Sequence, residues 1–152
     1  MGLRNRSSIS DELSIRNRYA SYCFAADDRD PAAVGDCFTA DAVVDVVGQA
    51  RLEGREAIAR VQETPSTKRH FVLNLWIQRL EGTHADVRAY FLVVERAGTI
   101  AGFGRYDDEL VRERDGEWRW RRRAIAYDWQ SDAYSEFVKA VTESATRNEL
   151  ES

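Results

Sequence analysis

The sequence predicts an α+β domain, with helices first and a meander of strands after them. Three observations carry this. Apolar residues Leu13, Tyr19, Tyr22, Cys23 and Ala26 recur near a helical period, whereas from His70 onward the chain runs in long β-branched and aromatic stretches. Those stretches are separated by short glycine turns, Glu81-Gly82, Ala97-Gly98 and Asp115-Gly116, the last a strong hairpin signal. The 152 residues, 43% hydrophobic and 32% charged, have the length and composition of one globular unit, which buries roughly 70% of the surface its unfolded chain exposes.

Residues 1–9 read as a flexible leader and 146–152 as a flexible tail, with the domain proper at 10–145. Ser10 is suited to cap the first helix, and Asp11 and Glu12 to sit at the positive end of its dipole. That helix runs to about Ala26, because Pro31 disfavours helical backbone at Asp30. Pro31 then opens a short second helix over 32–38. Thr39-Ala40-Asp41 reads as a turn, 42–47 as a strand, 51–53 as a short extended piece and 56–62 as a third helix. Strands follow at 70–80, 84–96, 100–114 and 117–129, then a helix at 135–145. Gly102 and Gly104, two apart in one strand, fit a bend or a close backbone approach. A strongly bent sheet folded over helices leaves an enclosed cavity at one end.

Charge and composition narrow the function. A net charge of −4 lacks the basic stripe that nucleic acid requires. The one basic cluster, Arg119, Arg121, Arg122 and Arg123, sits inside a Trp-rich strand pattern. There is no apolar run of membrane-spanning length and no apolar signal segment within Met1–Ser10, so neither a membrane partner nor secretion is expected and the expected location is the cytoplasm. Cys23 and Cys37 lie in apolar helical stretches and read as buried, reduced thiols. With two histidines and no His-Glu-x-x-His, Cys-x-x-Cys or glycine-rich phosphate loop, no metal or other cofactor is expected.

Strand parity puts His70, Val72, Asn74, Trp76 and Gln78 on one face and Phe71, Leu73, Leu75 and Ile77 on the other. The first face suits a pocket wall and makes Asn74 and Trp76 candidate substrate contacts. The second suits a core or a subunit interface, hence a homodimer or homotrimer. Arg88, and Arg122 or Arg123, are candidates to hold an anionic or carbonyl group, and spacing does not choose among them. His70 is a candidate base, since imidazole ordinarily titrates near pH 6.5 and a carboxylate on its other nitrogen would fix the tautomer.

Five segments resemble SnoaL-like domains. They are Ile15-x-x-Arg18-Tyr19-x-x-Tyr22 with Asp27-x-x-Asp30, Cys37-Phe38-Thr39-Ala40-Asp41-Ala42-Val43, Gly54-Arg55-Glu56-Ala57-Ile58, Gly104-Arg105-Tyr106-Asp107-Asp108, and Asp115-Gly116-Glu117-Trp118. Together they span about residues 9–130. The resemblance implies the nuclear-transport-factor-2-like fold: a cone-shaped α+β barrel with N-terminal helices packed on a strongly curved, mixed, mostly antiparallel sheet around a pocket. That superfamily includes scytalone and bile-acid dehydratases, a dehydrochlorinase, ketosteroid isomerase and polyketide cyclases. It also includes the largely structural β subunits of ring-hydroxylating dioxygenases, so fold alone does not give function. In the dehydratase and dehydrochlorinase branch, an Asp ending the first helix orients a His opening the long strand. The resemblance places Asp27 and His70 in those roles, with Tyr22 donating to a substrate oxygen. A second polar residue on the following strand has Glu95 as its candidate, a departure that argues against a scytalone-type substrate. The expectation is a cofactor-free lyase, or an isomerase or cyclase, acting on a hydrophobic cyclic small molecule. The alternative is a non-catalytic binding protein or a dioxygenase β-like structural module.

Overall fold

The computed structural model describes residues 6–147. Its elements are α1 (Arg6–Asp27), α2 (Pro31–Asp36), β1 (Phe38–Val46), β2 (Ala50–Glu53), α3 (Arg55–Arg60) with a 3-10 turn at Val61–Glu63, β3 (Arg69–Glu81), β4 (His84–Val94), β5 (Ile100–Arg112), β6 (Trp118–Gln130) and α4 (Asp132–Arg147). The strands form one sheet in the order β2-β1-β6-β5-β4-β3. Only β1 and β6 pair parallel; every other neighbour is antiparallel. The expected barrel is therefore open, with β2 and β3 as edges, and helices complete the enclosure. Ile15 and Tyr19 of α1 join Phe38, Leu110, Trp118 and Trp120 in the buried core.

Several boundaries differ from expectation. Residues 6–9, assigned to a leader, are the first turn of α1, so Ser10 lies inside the helix. Residues 1–5, and 148–152 of the expected tail, lie outside the described residues. Asp11 is a tertiary anchor, accepting from Arg112 Nη1 at 2.9 Å and Trp118 Nε1 at 3.0 Å. Asp30 caps α2 by accepting from the Ala33 N–H at 3.0 Å, with Pro31 in its first turn. Phe38 leaves that helix to pair with Trp120. The expected turn at Thr39–Asp41 is an irregular part of β1, where the β6 register shifts between Phe38 and Val43.

Two backbone features shape the sheet. At Gly104 a Cβ would stand 2.0 Å from the Ala126 carbonyl oxygen, and the β5–β6 register slips between Phe103 and Gly104. Only glycine admits that approach. Asn74 takes left-handed backbone, φ 52°, and the β3–β4 register shifts between Leu73 and Trp76. This extra residue is a bulge, and it reverses the parity beyond it. Val72, Leu75 and Ile77 therefore pack against the core, as does Leu80 beyond a second register shift between Ile77 and Arg79, while Phe71, Leu73, Asn74 and Trp76 are exposed. The expected apolar face Phe71, Leu73, Leu75, Ile77 is thus divided between the two sides. The outer side gains its own apolar row, since Phe71, Leu92, Phe103 and Trp129 are successive cross-strand partners.

Candidate active site

Asp27 is the last residue of α1 and His70 the second of β3. Asp27 Oδ1 lies 2.7 Å from His70 Nδ1, and the carboxylate also accepts the His70 backbone N–H, at 3.1 and 3.3 Å to its two oxygens. One carboxylate thus fixes both the main chain and the ring of the same residue. A carboxylate only accepts, so Nδ1 carries the proton and Nε2 holds a free lone pair. Among the described residues Nε2 has no hydrogen-bond partner. The Asp27 and His70 side chains are 10% and 19% exposed, enough shielding to strengthen their attraction while leaving the ring reachable.

His70 forms part of the wall of a cavity of about 110 Å³ inside the cone. That space holds several waters, or one small molecule in their place. Apolar residues, among them Phe38 and Val44 of β1, Ile58 of α3 and Val138 of α4, supply most of the wall. The polar groups are Tyr22, Arg29, Gln62, Ser66, Lys68, Tyr106, Tyr127, Tyr134 and Thr142. Asp27 and His70 also border an outer groove of about 470 Å³ between α1 and β3, so the pair stands between the two spaces. Cys23 faces that groove, but burial pushes its thiol up to about 11, so it stays protonated.

Tyrosine hydroxyls dominate the inner end. Burial raises Tyr22, Tyr106 and Tyr127 above the ordinary phenol value, keeping them protonated donors. Arg123 acts on Tyr22 in the opposite sense, which strengthens it as a donor. The Arg123 guanidinium lies 3.8 Å from the Tyr106 ring centroid and 4.8 Å from that of Tyr22. Arg123 is itself fully buried and bonded to Asp108 through Nε at 3.0 Å and Nη2 at 2.8 Å. Asp108 accepts further from Tyr19 Oη at 2.5 Å and Trp120 Nε1 at 3.0 Å.

Tyr22 and His70 line the inner cavity, Asp27 is bonded to His70 from the outer-groove side, and four other candidates lie outside the cavity. Asn74 and Trp76 are on the outer face, because the Asn74 bulge reverses the strand parity. Arg88 is exposed and paired with Asp107 at 2.6 Å. Arg122 is exposed, and its neighbour Arg123 occupies the inward position of β6. Glu95 lies 3.7 Å from Lys68, whose ammonium rests 4.2 Å from the Phe137 ring centroid. His84 pairs with Asp86 at 3.0 Å and does not line the cavity. Sequence reasoning missed Arg29, Gln62, Lys68, Tyr106, Tyr127 and Tyr134. For Tyr106 the parity with Gly104 on a bent strand was a usable signal, whereas Arg29 and Gln62 meet only through tertiary structure.

A family model described as a SnoaL-like domain matches residues 7–124. The chain belongs to this SnoaL-like family. No curated protein matches it. Among solved structures, a Mycobacterium tuberculosis protein described as of unknown function is 24% identical, covering 91% of this chain and 95% of that one, with a TM-score of 0.78. A putative scytalone dehydratase from Novosphingobium aromaticivorans is 25% identical over 82% of this chain and 88% of that one, TM-score 0.72. A Catenulispora acidiphila protein in complex with S-DNPA is 26% identical over 79% and 95%, TM-score 0.68. The SnoaL-like match ends before α4, the helix that contributes Tyr134, Phe137 and Val141 to the cavity. Among the described residues no helix is long and apolar enough to cross a membrane, and no group of three or more His, Cys, Asp or Glu could hold a metal ion.

Proposed function

We propose that this SnoaL-like domain is a cofactor-free lyase of the dehydratase type, or an isomerase or cyclase, acting on a hydrophobic cyclic small molecule in the inner cavity. The observation that carries the reading is the 2.7 Å contact from Asp27 Oδ1 to His70 Nδ1, which leaves Nε2 as a free base at the wall of an apolar cavity. His70 Nε2 takes a proton from carbon next to a carbonyl or a leaving group, and Asp27 stabilises the imidazolium formed. The C–H electron pair forms a double bond as hydroxide departs or as charge moves onto oxygen. Tyr22 donates to that oxygen, with the buried Arg123 charge behind it. Proton transfer of this kind uses only a base and hydrogen-bond donors. The outer row Phe71, Leu92, Phe103 and Trp129 is where a homo-oligomer contact belongs.

The test is exchange in heavy water. Cyclic ketones and β-hydroxyketones are incubated with the purified chain, and loss of α-proton signal or appearance of enone is followed by NMR. Wild type is expected to outpace buffer, with His70→Ala lower by roughly 10²–10⁴. A folded His70→Ala variant matching wild type would overturn the base assignment and leave a ligand-binding protein.

A further inference from the structure

Arg29 sits two residues beyond Asp27 in left-handed backbone, φ 54°, an uncommon conformation for a residue with a side chain. From there its side chain reaches the segment after α3. Nη1 donates to Gln62 Oε1 at 2.7 Å, and Nη2 donates to the Val61 carbonyl at 2.6 Å and to the Thr64 carbonyl. All three acceptors are neutral, and among the described residues no carboxylate pairs with Arg29. The other lysine or arginine lining the cavity, Lys68, pairs with Glu95, and Arg123, packed against the Tyr22 and Tyr106 rings, pairs with Asp108. Of the two Arg29 N–H groups left over, one on Nη1 and one on Nε, Nε is buried with no partner, and both Arg29 and Gln62 line the cavity. Because Arg29 takes the Gln62 oxygen, the Gln62 NH₂ is left as a donor, and it has no protein acceptor among the described residues.

We propose that Arg29 and Gln62 form a carbonyl-binding subsite of the inner cavity that, together with the Tyr22 hydroxyl, takes the ligand oxygen that gains charge when His70 removes a proton. The substrate is thereby a cyclic ketone or conjugated carbonyl compound. This rests on the base assignment of His70 and adds where the oxygen is held. Local charge supports it. With His70 neutral, Asp27 and Arg29 cancel. Once Nε2 takes the proton, the three groups sum to +1, matched by the −1 of the enolate. In that step the C–H pair becomes the C=C bond, the carbonyl π pair moves onto oxygen, and the proton ends on His70. Unmet donors at the wall also discriminate against an apolar isostere, which would leave them unpaired.

The experiment uses cyclopentanone and its oxygen-free isostere methylenecyclopentane, small enough for a cavity of about 110 Å³, as probes of the purified chain. Affinity is read by tryptophan fluorescence and the bound C=O stretch by infrared difference spectroscopy. Wild type is expected to prefer the ketone about tenfold or more, with its C=O stretch below the value in water. Gln62→Met, which removes the donor, and Gln62→Glu, which gives Arg29 a carboxylate, are expected to lower the preference severalfold and move the stretch toward its apolar-solvent value. Thermal melting checks that both stay folded, and Gln62→Glu should melt no lower than wild type. His70→Ala should keep the infrared shift while losing exchange activity, so failure of the base assignment and failure of the subsite show separately. Equal affinity for the two probes in wild type, or a C=O stretch unmoved by both Gln62 variants, makes Arg29 a structural clamp only and overturns the proposal.

Discussion

Removing Asp108 while keeping Arg123 should be one of the most damaging single changes in this chain. Both side chains are fully buried, and Asp108 accepts from Arg123 Nε and Nη2, Tyr19 Oη and Trp120 Nε1. Asp108→Leu strands the guanidinium, and breaking a buried pair from one side costs about 3–5 kcal/mol. Arg123→Met strands the carboxylate and should cost about the same, about 3–5 kcal/mol. Independent effects would make the double variant lose about 6–10 kcal/mol, on the scale of a whole domain's stability. The double variant removes both charges together, leaving two hydrogen-bond donors without an acceptor, Tyr19 Oη and Trp120 Nε1. Its loss should therefore be about 2–6 kcal/mol, below the additive figure and no worse than Asp108→Leu, which strands the same two donors and the guanidinium as well. Urea denaturation of the four proteins, followed by circular dichroism, measures this cycle. Additive losses, or an Asp108→Leu loss below about 1 kcal/mol, would refute the claim that this pair acts as one unit.

His70→Ala and Asp27→Asn should each lower kcat on any substrate found, and the double variant should be no slower than the worse single one, since the residues act together; multiplied losses would separate their roles. Stability should fall as pH rises past about 10. Burial raises Tyr19, Tyr106 and Tyr127 in the folded state, so there the native chain holds more protons than the unfolded one, and each group lost to titration costs up to about 1.4 kcal/mol per pH unit. Urea midpoints at pH 8 and 11 measure it, and an unchanged midpoint would contradict the burial of these phenols. Sedimentation should find an oligomer that Phe103→Asp converts to monomer; a monomeric wild type at micromolar concentration would remove the outer face as an interface. Gly104→Ala should unfold or strongly destabilise the chain, because the new methyl would meet the Ala126 oxygen, and a wild-type melting temperature would contradict that approach.

Element order was legible because periodicity and glycine turns are local signals, whereas the pairing of Asp27 with His70 was legible only through the resemblance to SnoaL-like domains, which sets an Asp at the end of the first helix beside a His at the start of the long strand. What failed was parity over long strands. One left-handed residue, Asn74, moved Trp76 to the outer face, and asparagine between two leucines was the only hint. The same one-residue sensitivity separates exposed Arg122 from buried Arg123, whose partner Asp108 lies on the neighbouring strand. Arg29 was hidden because a residue in a helix-ending turn ordinarily faces water, and its acceptors lie more than thirty residues away.

The cavity draws its walls from separate stretches of chain. Asp27 and His70 lie within residues 7–124, whereas Tyr134, Phe137 and Val141 come from α4 beyond that span. On the proposed reading, one part of the ligand's surroundings is therefore carried on a segment separate from the base. A chimera that exchanges only this terminal helix would be a graft of taste: the same proton transfer, offered to guests of another size.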